Sequence, residues 1–217
     1  MPTFECAAIL FDMDGVLVDS TAAVAGTWGR WALAQSLDPQ LVIDGAHGRR
    51  SIETVREFAP HLDAEAEASR IESAEAMELN TVTVIPGALP LLRSLPQGLW
   101  GVVTSATRPM AITRLRDAGF PTPHVLVTAD DVIHGKPNPE PYRKGASGVG
   151  IPADQCIVFE DSPAGIRAAT AAGMRVIGLL TTYPPEELHE AVTVISDFTN
   201  VRVRQNKQAK LEISLAD

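Results

Sequence analysis

Short apolar runs recur along the 217-residue chain, and each is followed by a turn and then by a segment with helical spacing. The runs are apolar throughout instead of alternating, which is typical of strands buried on both faces of a parallel sheet. The predicted strands are Ala7–Phe11, Trp100–Val103, Val125–Val127, Cys156–Phe159, Val176–Leu180 and a weaker run at Val192–Ile195. The pattern therefore predicts a mainly parallel sheet.

Helix signals lie between the predicted strands. Pro109–Ala118 begins at a proline and is followed by a glycine. Pro163–Ala172 has Ser162 as its predicted N-cap and Gly173 directly after its end, and these residue types are favoured at those positions. Strand–helix alternation of this kind predicts an α/β fold with a doubly wound, Rossmann-like parallel sheet.

A helical insert interrupts the alternation after the first strand. Its predicted helices are Ser20–Gln35, with Ser20 or Thr21 as the cap, Ser51–Phe58 and Asp63–Leu79. We interpret the acidic residues of the third helix as a solvated face. The pattern divides the chain into an α/β core of residues 1–19 and 82–217 and an α-helical cap of residues 20–81.

The composition narrows the class of partner. Acidic side chains outnumber basic ones, 27 to 18, for a formal net charge of −9. This argues against nucleic acid, because binding a phosphate backbone requires clustered Lys and Arg. A small phosphorylated substrate needs only a few local donors. The longest uncharged stretches, Leu79–Leu92 and Ser94–Thr107, are shorter than the ~20 residues of a membrane-spanning helix.

The remaining composition indicates a protein of the reducing interior of the cell. Met1–Leu10 contains a glutamate and no basic segment, unlike a signal peptide. Cys6 and Cys156 lie in apolar runs without CxxC spacing, so we interpret them as buried, reduced thiols. We therefore expect a cytoplasmic monomer with no membrane contact. Val201–Asp217 predicts a terminal hairpin or added edge strands.

Two carboxylates follow the first predicted strand. Asp12 and Asp14 are two positions apart where the strand ends, and Gly15 permits a sharp turn after them. Open α/β sheets bind ligands at the carboxyl edge of their strands, so the pair can converge on one point there. On its own such a segment is also an ordinary turn.

Three further polar segments end predicted strands in the same way. Thr104–Thr107 offers hydroxyl donors for a phosphate oxygen, although alone it is also a common helix cap. Lys136 stands in a loop braced by prolines. Glu160 and Asp161 form a second acid pair, which alone could cap the next helix. Together the four segments supply a nucleophilic carboxylate, a second carboxylate, a hydroxyl donor, a cation and a distal carboxylate.

In this order the four segments resemble the haloacid dehalogenase-like hydrolase superfamily, over essentially the whole chain up to about Ile195. The position of the insert resembles the helical-cap subfamily of sugar phosphatases and β-phosphoglucomutase. The segments most similar to glycerol-phosphate and 2-deoxyglucose-6-phosphate phosphatases are His47–Glu53, Phe58–Pro60, Thr128–Val132 and Gly135–Tyr142. The resemblance implies a phosphoric monoester hydrolase acting on a small sugar or polyol phosphate.

The resemblance also implies a role for each matched residue. Asp12 would attack phosphorus and form an aspartyl-phosphate. Asp14 would protonate the leaving alkoxide and then deprotonate the attacking water. Ser105 and the Ala106 amide would bind the phosphate, and Lys136 would bridge nucleophile and phosphate.

A divalent cation is implied as well, because phosphate and two carboxylates repel one another. Mg²⁺ prefers oxygen ligands, and the matched ones are Asp12, the main-chain carbonyl of Asp14 and Asp161. Glu160 would be a ligand through water or a partner of the ligands.

The cap loop Gly45–Glu53 is the candidate site for the organic half of the substrate. His47, Arg49 and Arg50 could each reach a sugar hydroxyl or a phosphate, and Glu53 has similar hydrogen-bonding reach. The same cluster could instead be an exposed helix start. Arg108 could point at the site or stay at the surface.

Three other functions stay open on sequence grounds. A phosphomutase of the β-phosphoglucomutase type would use the same core, although Thr21–Arg30 lacks the histidine that usually marks that pattern. A dehalogenase is disfavoured by the presence of Asp14. A non-catalytic sugar-phosphate sensor is disfavoured by the intact Asp12, Lys136 and Asp161.

Overall fold

The computed structural model describes residues 2–77 and 82–216. Its strands are β1 (Thr3–Cys6), β2 (Ala8–Phe11), β3 (Val18–Asp19), β4 (Thr83–Val84), β5 (Trp100–Val103), β6 (Val125–Val127), β7 (Cys156–Glu160), β8 (Arg175–Leu179), β9 (Thr193–Ile195), β10 (Val201–Gln205) and β11 (Leu211–Leu215). Its α-helices are α1 (Thr21–Ala34), α2 (Pro39–Ala46), α3 (Ser51–Phe58), α4 (Ala64–Met77), α5 (Ala88–Ser94), α6 (Arg108–Asp117), α7 (Glu140–Val149) and α8 (Pro163–Ala171).

A six-stranded sheet forms the central layer, in the order β6-β5-β2-β7-β8-β9. All of its neighbouring strands run parallel. The chain enters at β2, moves outwards to β6 on one side and then to β9 on the other. The winding direction therefore reverses beside β2, and ligands bind at such a switch point. The prediction of a doubly wound parallel sheet is confirmed.

Successive residues of the central strand point to opposite layers, as the two-residue repeat of a strand requires. Ile9 and Phe11 pack into the apolar layer that contains residues of α5 and α6. Ala8 and Leu10 pack into the layer that contains residues of α7 and α8. All four side chains are completely buried, which explains why β2 is apolar throughout.

The predicted helix signals on the core are confirmed at α8. The Ser162 hydroxyl oxygen accepts a hydrogen bond from the Gly165 amide and caps the helix, with Pro163 at its first position. Gly173 follows the helix with a φ of +89°, a conformation that L-residues with side chains rarely adopt. The structure begins and ends α6 one residue earlier than the sequence predicts.

The insert after β2 contains helices α1 to α4, which share a separate apolar cluster. Within it the rings of Trp28 and Trp31 meet edge to face, with centroids 5.5 Å apart. Strands β3 and β4 pair antiparallel where the chain enters and leaves the insert. The predicted end of the third helix at Leu79 and the predicted cap limit at residue 81 lie outside the described residues.

Helix α2 was not predicted, and this corrects the interpretation of Gly45–Glu53 as a loop. Only residues 47–50 connect α2 to α3. The Asp38 side chain accepts hydrogen bonds from the amides of Gln40 and Leu41, and Pro39 occupies the first helical position. An Asp-Pro pair is a known helix start, so the signal was present in the sequence.

The C-terminal strands form a second sheet with the first strand of the chain. Strands β10 and β11 make the predicted hairpin, and β11 also pairs antiparallel with β1. Leu211, Ile213 and Leu215 are buried in the same apolar layer as Phe11. The hairpin therefore completes the main core.

None of the helices within residues 2–77 and 82–216 is long and apolar enough to cross a membrane. Both cysteines are buried and free, as the sequence predicts. Burial raises the pKa of the Cys6 thiol to about 12, which keeps it protonated and unreactive.

We expect Ile213→Ala to lower the free energy of unfolding by about 2–5 kcal/mol, because it leaves a cavity in the core. Urea denaturation followed by circular dichroism measures the change. Lys207→Ala, in the exposed hairpin turn, is the control and should change stability by less than about 0.5 kcal/mol. Equal stability of the two variants would show that the hairpin is not part of the core.

Candidate active site

Three buried carboxylates meet at the carboxyl edge of the central strands. Asp12 follows β2, Glu160 ends β7 and Asp161 follows it, and one oxygen of each lies within 4.8 Å of the others. The two strands are neighbours with Phe11 opposite Phe159. Sheet register thus brings residues from distant parts of the sequence to one point, as predicted for Asp12 and Asp161.

Lys136 is buried against this cluster, with 1% of its surface exposed. Its Nζ donates to Asp12 Oδ1 at 2.8 Å and to Glu160 Oε1 at 2.6 Å. Burial alone would lower the pKa of Lys136, but the two carboxylates outweigh it and hold that pKa above its usual value. Lys136 is therefore a permanent cation in direct contact with the predicted nucleophile.

Glu160 holds Lys136 in place. Its carboxylate also accepts hydrogen bonds from the Tyr142 hydroxyl, from the amides of Asp161 and Ser162 and from the Ser162 hydroxyl. These donors reach both carboxylate oxygens and fix Glu160 beside Asp12 and Asp161. Any side chain at Gly165 would overlap Glu160 Oε1, so the close approach of α8 requires glycine there.

The electrostatics of the cluster fit a divalent cation. Burial raises the pKa of Asp12 to about 7, although Lys136 opposes the rise. Burial, together with Glu160 and Asp12, also raises the pKa of Asp161 well above its usual range. Asp161 Oδ1 is buried and has no hydrogen-bond partner among the described residues. A hard cation bound by Asp12 and Asp161 would satisfy that oxygen and favour both carboxylates in their charged form.

The loop that carries Lys136 is fixed by Glu140. The carboxylate of Glu140 accepts hydrogen bonds from the amides of Ile133 (3.0 Å) and His134 (2.9 Å). Asn138 Oδ1 in turn accepts from the Glu140 amide. The bonds from His134 and Ile133 lower the pKa of Glu140 to about 2.

Asp14 is half-buried at the mouth of the cluster. Its Oδ1 accepts from the Ser20 hydroxyl at 2.7 Å and from Arg114 Nη1 at 2.6 Å, which leaves Oδ2 unengaged by these two donors. Ser20 stands at the N-cap position of α1 as predicted, but its side chain makes no capping hydrogen bond. Ser20 instead binds Asp14, and the Thr21 amide donates to Asp19. These contacts orient the predicted acid beside Asp12.

Arg114 and Glu75 belong to the site although the sequence analysis missed them. Arg114 Nη2 donates to Glu75 Oε2 at 3.2 Å, and both side chains are buried. Burial raises the pKa of Glu75 to about 7, against the attraction of Arg114. The acidic residues of α4 are therefore not all solvated, which corrects that interpretation. Glu75 follows Ile71 by four positions and lies on the buried face of α4, and this helical spacing is a signal that the sequence analysis did not use.

The predicted phosphate donors line the cleft and bind protein atoms. The Ser105 hydroxyl donates to the Gly48 carbonyl of the insert at 2.8 Å. The Ala106 amide donates to the Thr104 hydroxyl at 3.1 Å. Both lie at the carboxyl end of β5 beside β2, on the same edge as Asp12.

Of the four predicted cap residues, the structure brings His47 and Arg49 to the cleft. His47 Nδ1 donates to the Ile43 carbonyl, its Nε2 is buried without a partner among the described residues, and burial lowers its pKa. Arg49 forms an ion pair with Glu57 at 2.6 Å.

Arg50 and Glu53 lie elsewhere. The Arg50 guanidinium donates to the carbonyls of Val132 and Ile133, and Glu53 accepts from the Gly135 amide. Arg50 and Glu53 also pair with each other at 2.7 Å. They hold the loop that carries Lys136 against the insert. Arg108 binds Asp131 at 2.6 Å and stays out of the cleft.

A cleft lies between the insert and the sheet edge, and Lys136, Arg50 and Glu53 are the predicted site residues that do not line it. Its lining includes Asp12, Asp14, Trp28, His47, Arg49, Glu72, Glu75, Ser105, Ala106, Arg114 and Asp161. The fold and the site thus define an α/β protein with a cluster of buried charged groups at the switch point of its sheet.

Comparison with known proteins identifies the family. The chain matches the model of haloacid dehalogenase-like hydrolases over residues 6–173. It is 39% identical to hexitol phosphatase A of Escherichia coli, over 92% of this chain and 94% of that protein. It is 35% identical to glycerol-1-phosphate phosphohydrolase 2 of Saccharomyces cerevisiae, over 90% of this chain and 84% of that protein. The protein belongs to the haloacid dehalogenase-like hydrolase family.

A solved structure agrees with this assignment at the level of the fold. β-Phosphoglucomutase from Clostridium difficile aligns with a TM-score of 0.80 at 20% identity, over 91% of this chain and 93% of that one. At this identity the likeness shows the shared architecture alone. The predicted fold class, and membership of this hydrolase family, are confirmed.

We expect Glu140→Gln to destabilise the protein at pH 7 by about 1–2 kcal/mol, because two amides lose a charged acceptor at a solvent-accessible loop. The pKa of Glu140 is lowered from 4.5 in the unfolded chain to about 2 in the folded one. The stabilisation is therefore full above about pH 5 and is lost as the pH falls towards 2.

Urea unfolding of wild type and variant at pH 7, 5 and 3.5 checks this prediction. The difference between them should be constant from pH 7 to 5 and should narrow at 3.5. Glu186→Gln, which alters an exposed carboxylate, is the matched control. A difference in the free energy of unfolding that increases as the pH is lowered would contradict the prediction.

Proposed function

We propose that the protein is a Mg²⁺-dependent phosphatase that hydrolyses a small sugar or polyol phosphate through a phosphorylated Asp12. The observation that carries the proposal is the contact of Asp12 with the buried cation Lys136 beside Asp161, at the switch point of the sheet. We further propose that residues 20–81 are a cap on a core of residues 1–19 and 82–217. We also propose that the protein is a monomer, that it acts in the cytoplasm, and that it binds neither nucleic acid nor membranes.

The first half of the reaction transfers the phosphoryl group to the enzyme. A carboxylate oxygen of Asp12 forms a bond to phosphorus while the bond from phosphorus to the ester oxygen breaks. Asp14 gives its proton to that oxygen, so the product leaves as an alcohol. Lys136 donates to Asp12 Oδ1 and offsets negative charge as the phosphate approaches.

The second half releases phosphate. A water molecule attacks the phosphorus of the aspartyl-phosphate, and Asp14, now a carboxylate, takes the proton of that water. The bond from phosphorus to Asp12 breaks, which restores the Asp12 carboxylate and gives inorganic phosphate. Asp14 is suited to both steps because Ser20 and Arg114 fix it through Oδ1 alone.

Asp12, Asp161 and the main-chain carbonyl of Asp14 would hold Mg²⁺, whose charge lets a phosphate dianion approach two carboxylates. The orphan Asp161 Oδ1 supports this ligand set. Ser105 and the Ala106 amide would exchange their present protein partners for phosphate oxygens.

The substrate class rests on the relatives and on the cleft. The names hexitol phosphatase and glycerol-1-phosphate phosphohydrolase belong to relatives that match nearly the whole chain, and they support a phosphorylated polyol or sugar here. His47 and Arg49 are the predicted cap residues positioned to meet its organic half. For Arg50 and Glu53 we propose instead a role in holding the Lys136 loop.

We expect Asp12→Asn to reduce phosphate release to background while the protein stays folded, because Asn has nearly the same size but no anionic oxygen to attack phosphorus. Release of inorganic phosphate from hexitol and glycerol phosphates in the presence of excess Mg²⁺ measures the effect. Asp154→Asn, at an exposed position, should retain wild-type activity.

The same assay tests the metal. Chelation with EDTA should abolish wild-type activity and added Mg²⁺ should restore it, because the single cation Lys136 cannot compensate three clustered carboxylates and a phosphate. Substantial Mg²⁺-dependent turnover by Asp12→Asn would refute the proposed nucleophile.

We expect Asp14→Asn to slow turnover of alkyl phosphates by about 10²–10⁴-fold, the usual contribution of a positioned acid and base. Aryl phosphates have better leaving groups, which need less protonation. The substitution should therefore reduce kcat on aryl phosphates by a smaller factor. Steady-state kcat on glycerol phosphate and on p-nitrophenyl phosphate gives the comparison. Equal losses on both substrates would remove Asp14 from the acid role.

A further inference from the structure

One wall of the cleft carries a buried ion pair that has no bond-making role in the proposed reaction. Arg114 belongs to α6 and Glu75 to α4, and their side chains are 2% and 8% exposed. Both line the cleft. Arg114 Nε is buried and has no partner among the described residues. An unpaired buried donor costs free energy, so this guanidinium has one hydrogen-bond donor that its contacts with Asp14 and Glu75 leave unused.

The charge of this wall decides what kind of group it can take. The guanidinium of Arg114 already faces two carboxylates, Asp14 and Glu75, and Glu72 lines the same cleft. A hydroxyl both donates and accepts hydrogen bonds, so it can bind this pair without adding charge. A second phosphate or a carboxylate on the substrate would be repelled by these carboxylates. The nearest cation, Arg114, is already shared between Asp14 and Glu75.

The position of Asp14 indicates which substrate atoms lie beside Arg114 and Glu75. In the proposed reaction Asp14 protonates the ester oxygen, and Arg114 is bonded directly to Asp14 at 2.6 Å. The substrate atoms that lie beside Arg114 and Glu75 are therefore the carbons next to the phosphoester, with their hydroxyls.

We propose that Arg114 and Glu75 are specificity-determining residues that bind the hydroxyls adjacent to the phosphoester, selecting neutral polyols and rejecting substrates with a second anionic group there. The inference rests on the proposed function and deepens it. It assigns hydroxyl recognition to a contact between the core helix α6 and the insert helix α4, in addition to the connection at residues 47–50.

Glu75→Gln tests this proposal because it keeps the size of the side chain and removes its charge. The substrates are glycerol 1-phosphate, a hexitol 6-phosphate, 2-phosphoglycolate and p-nitrophenyl phosphate. In the variant, kcat/KM for the two polyol phosphates should fall by about 10- to 100-fold, mainly through KM. The loss of kcat/KM for p-nitrophenyl phosphate, whose organic half has no hydroxyl, should be smaller than the loss for either polyol phosphate.

The carboxylated substrate, 2-phosphoglycolate, distinguishes substrate recognition by Glu75 from a purely structural role. Removing the Glu75 charge frees Arg114 to meet an anion, so kcat/KM for 2-phosphoglycolate should rise relative to glycerol 1-phosphate. Glu65→Gln is the matched control on the exposed side of α4, where Glu65 pairs with Arg56, and it should leave every ratio unchanged. Arg114→Lys keeps the charge but loses the forked donor and should lose polyol preference as well.

The wild type alone also tests the proposal, whether or not a variant folds. It should prefer glycerol 1-phosphate over 2-phosphoglycolate by at least about 10-fold. Equal use of the two substrates, or an equal loss by Glu75→Gln on polyol and aryl phosphates, would overturn the inference and leave the phosphatase standing. Absence of Mg²⁺-dependent release from all four substrates would overturn the proposed function itself.

Discussion

The burial of one ammonium among carboxylates is the constraint on which the rest of the structure depends. A buried charge is tolerated only when it is paired and fully hydrogen-bonded. Lys136 meets this requirement through Asp12 and Glu160. Glu160 in turn needs Tyr142 and the amides at the start of α8, and α8 can come so close only because Gly165 has no side chain. The groups proposed to react are thus held by the packing of the sheet on its helices.

Polar contacts between distant segments complete the site from the other side. Arg50 and Glu53 bind the loop that precedes Lys136, and the Gly48 carbonyl accepts a hydrogen bond from the Ser105 hydroxyl. Arg114 joins Asp14 to Glu75 of α4. Each contact ties a group of the insert to a segment at the carboxyl edge of the sheet. The insert therefore contributes to the electrostatics of the site as well as covering it.

The sequence predicts most where the cause is local. Uninterrupted apolar runs predict the six core strands because both faces of the sheet are covered, and Ser162 with Gly173 marks the ends of α8. Asp12 and Asp161 could be placed together because parallel strands end at one edge. Arg114 and Glu75 could not, since helical spacing places Glu75 on the buried face of α4 but does not show that α6 brings a guanidinium to it. Ser20 has the residue type of a cap, and only the position of Asp14 in space shows that its hydroxyl is used there.

Thr3 pairs with Ser214 and Cys6 with Leu211, so strand β1 has its partner almost a full chain length away. During synthesis on a ribosome, β1 emerges before β11 and has no strand beside it until residues 211–215 follow. The apolar layer that contains Phe11 also lacks Leu211, Ile213 and Leu215 until that moment. Contacts of such long sequence separation form late, because closing a long loop costs conformational entropy before the contact can stabilise the chain. The native core is in this way completed only after residues 211–215 have joined it.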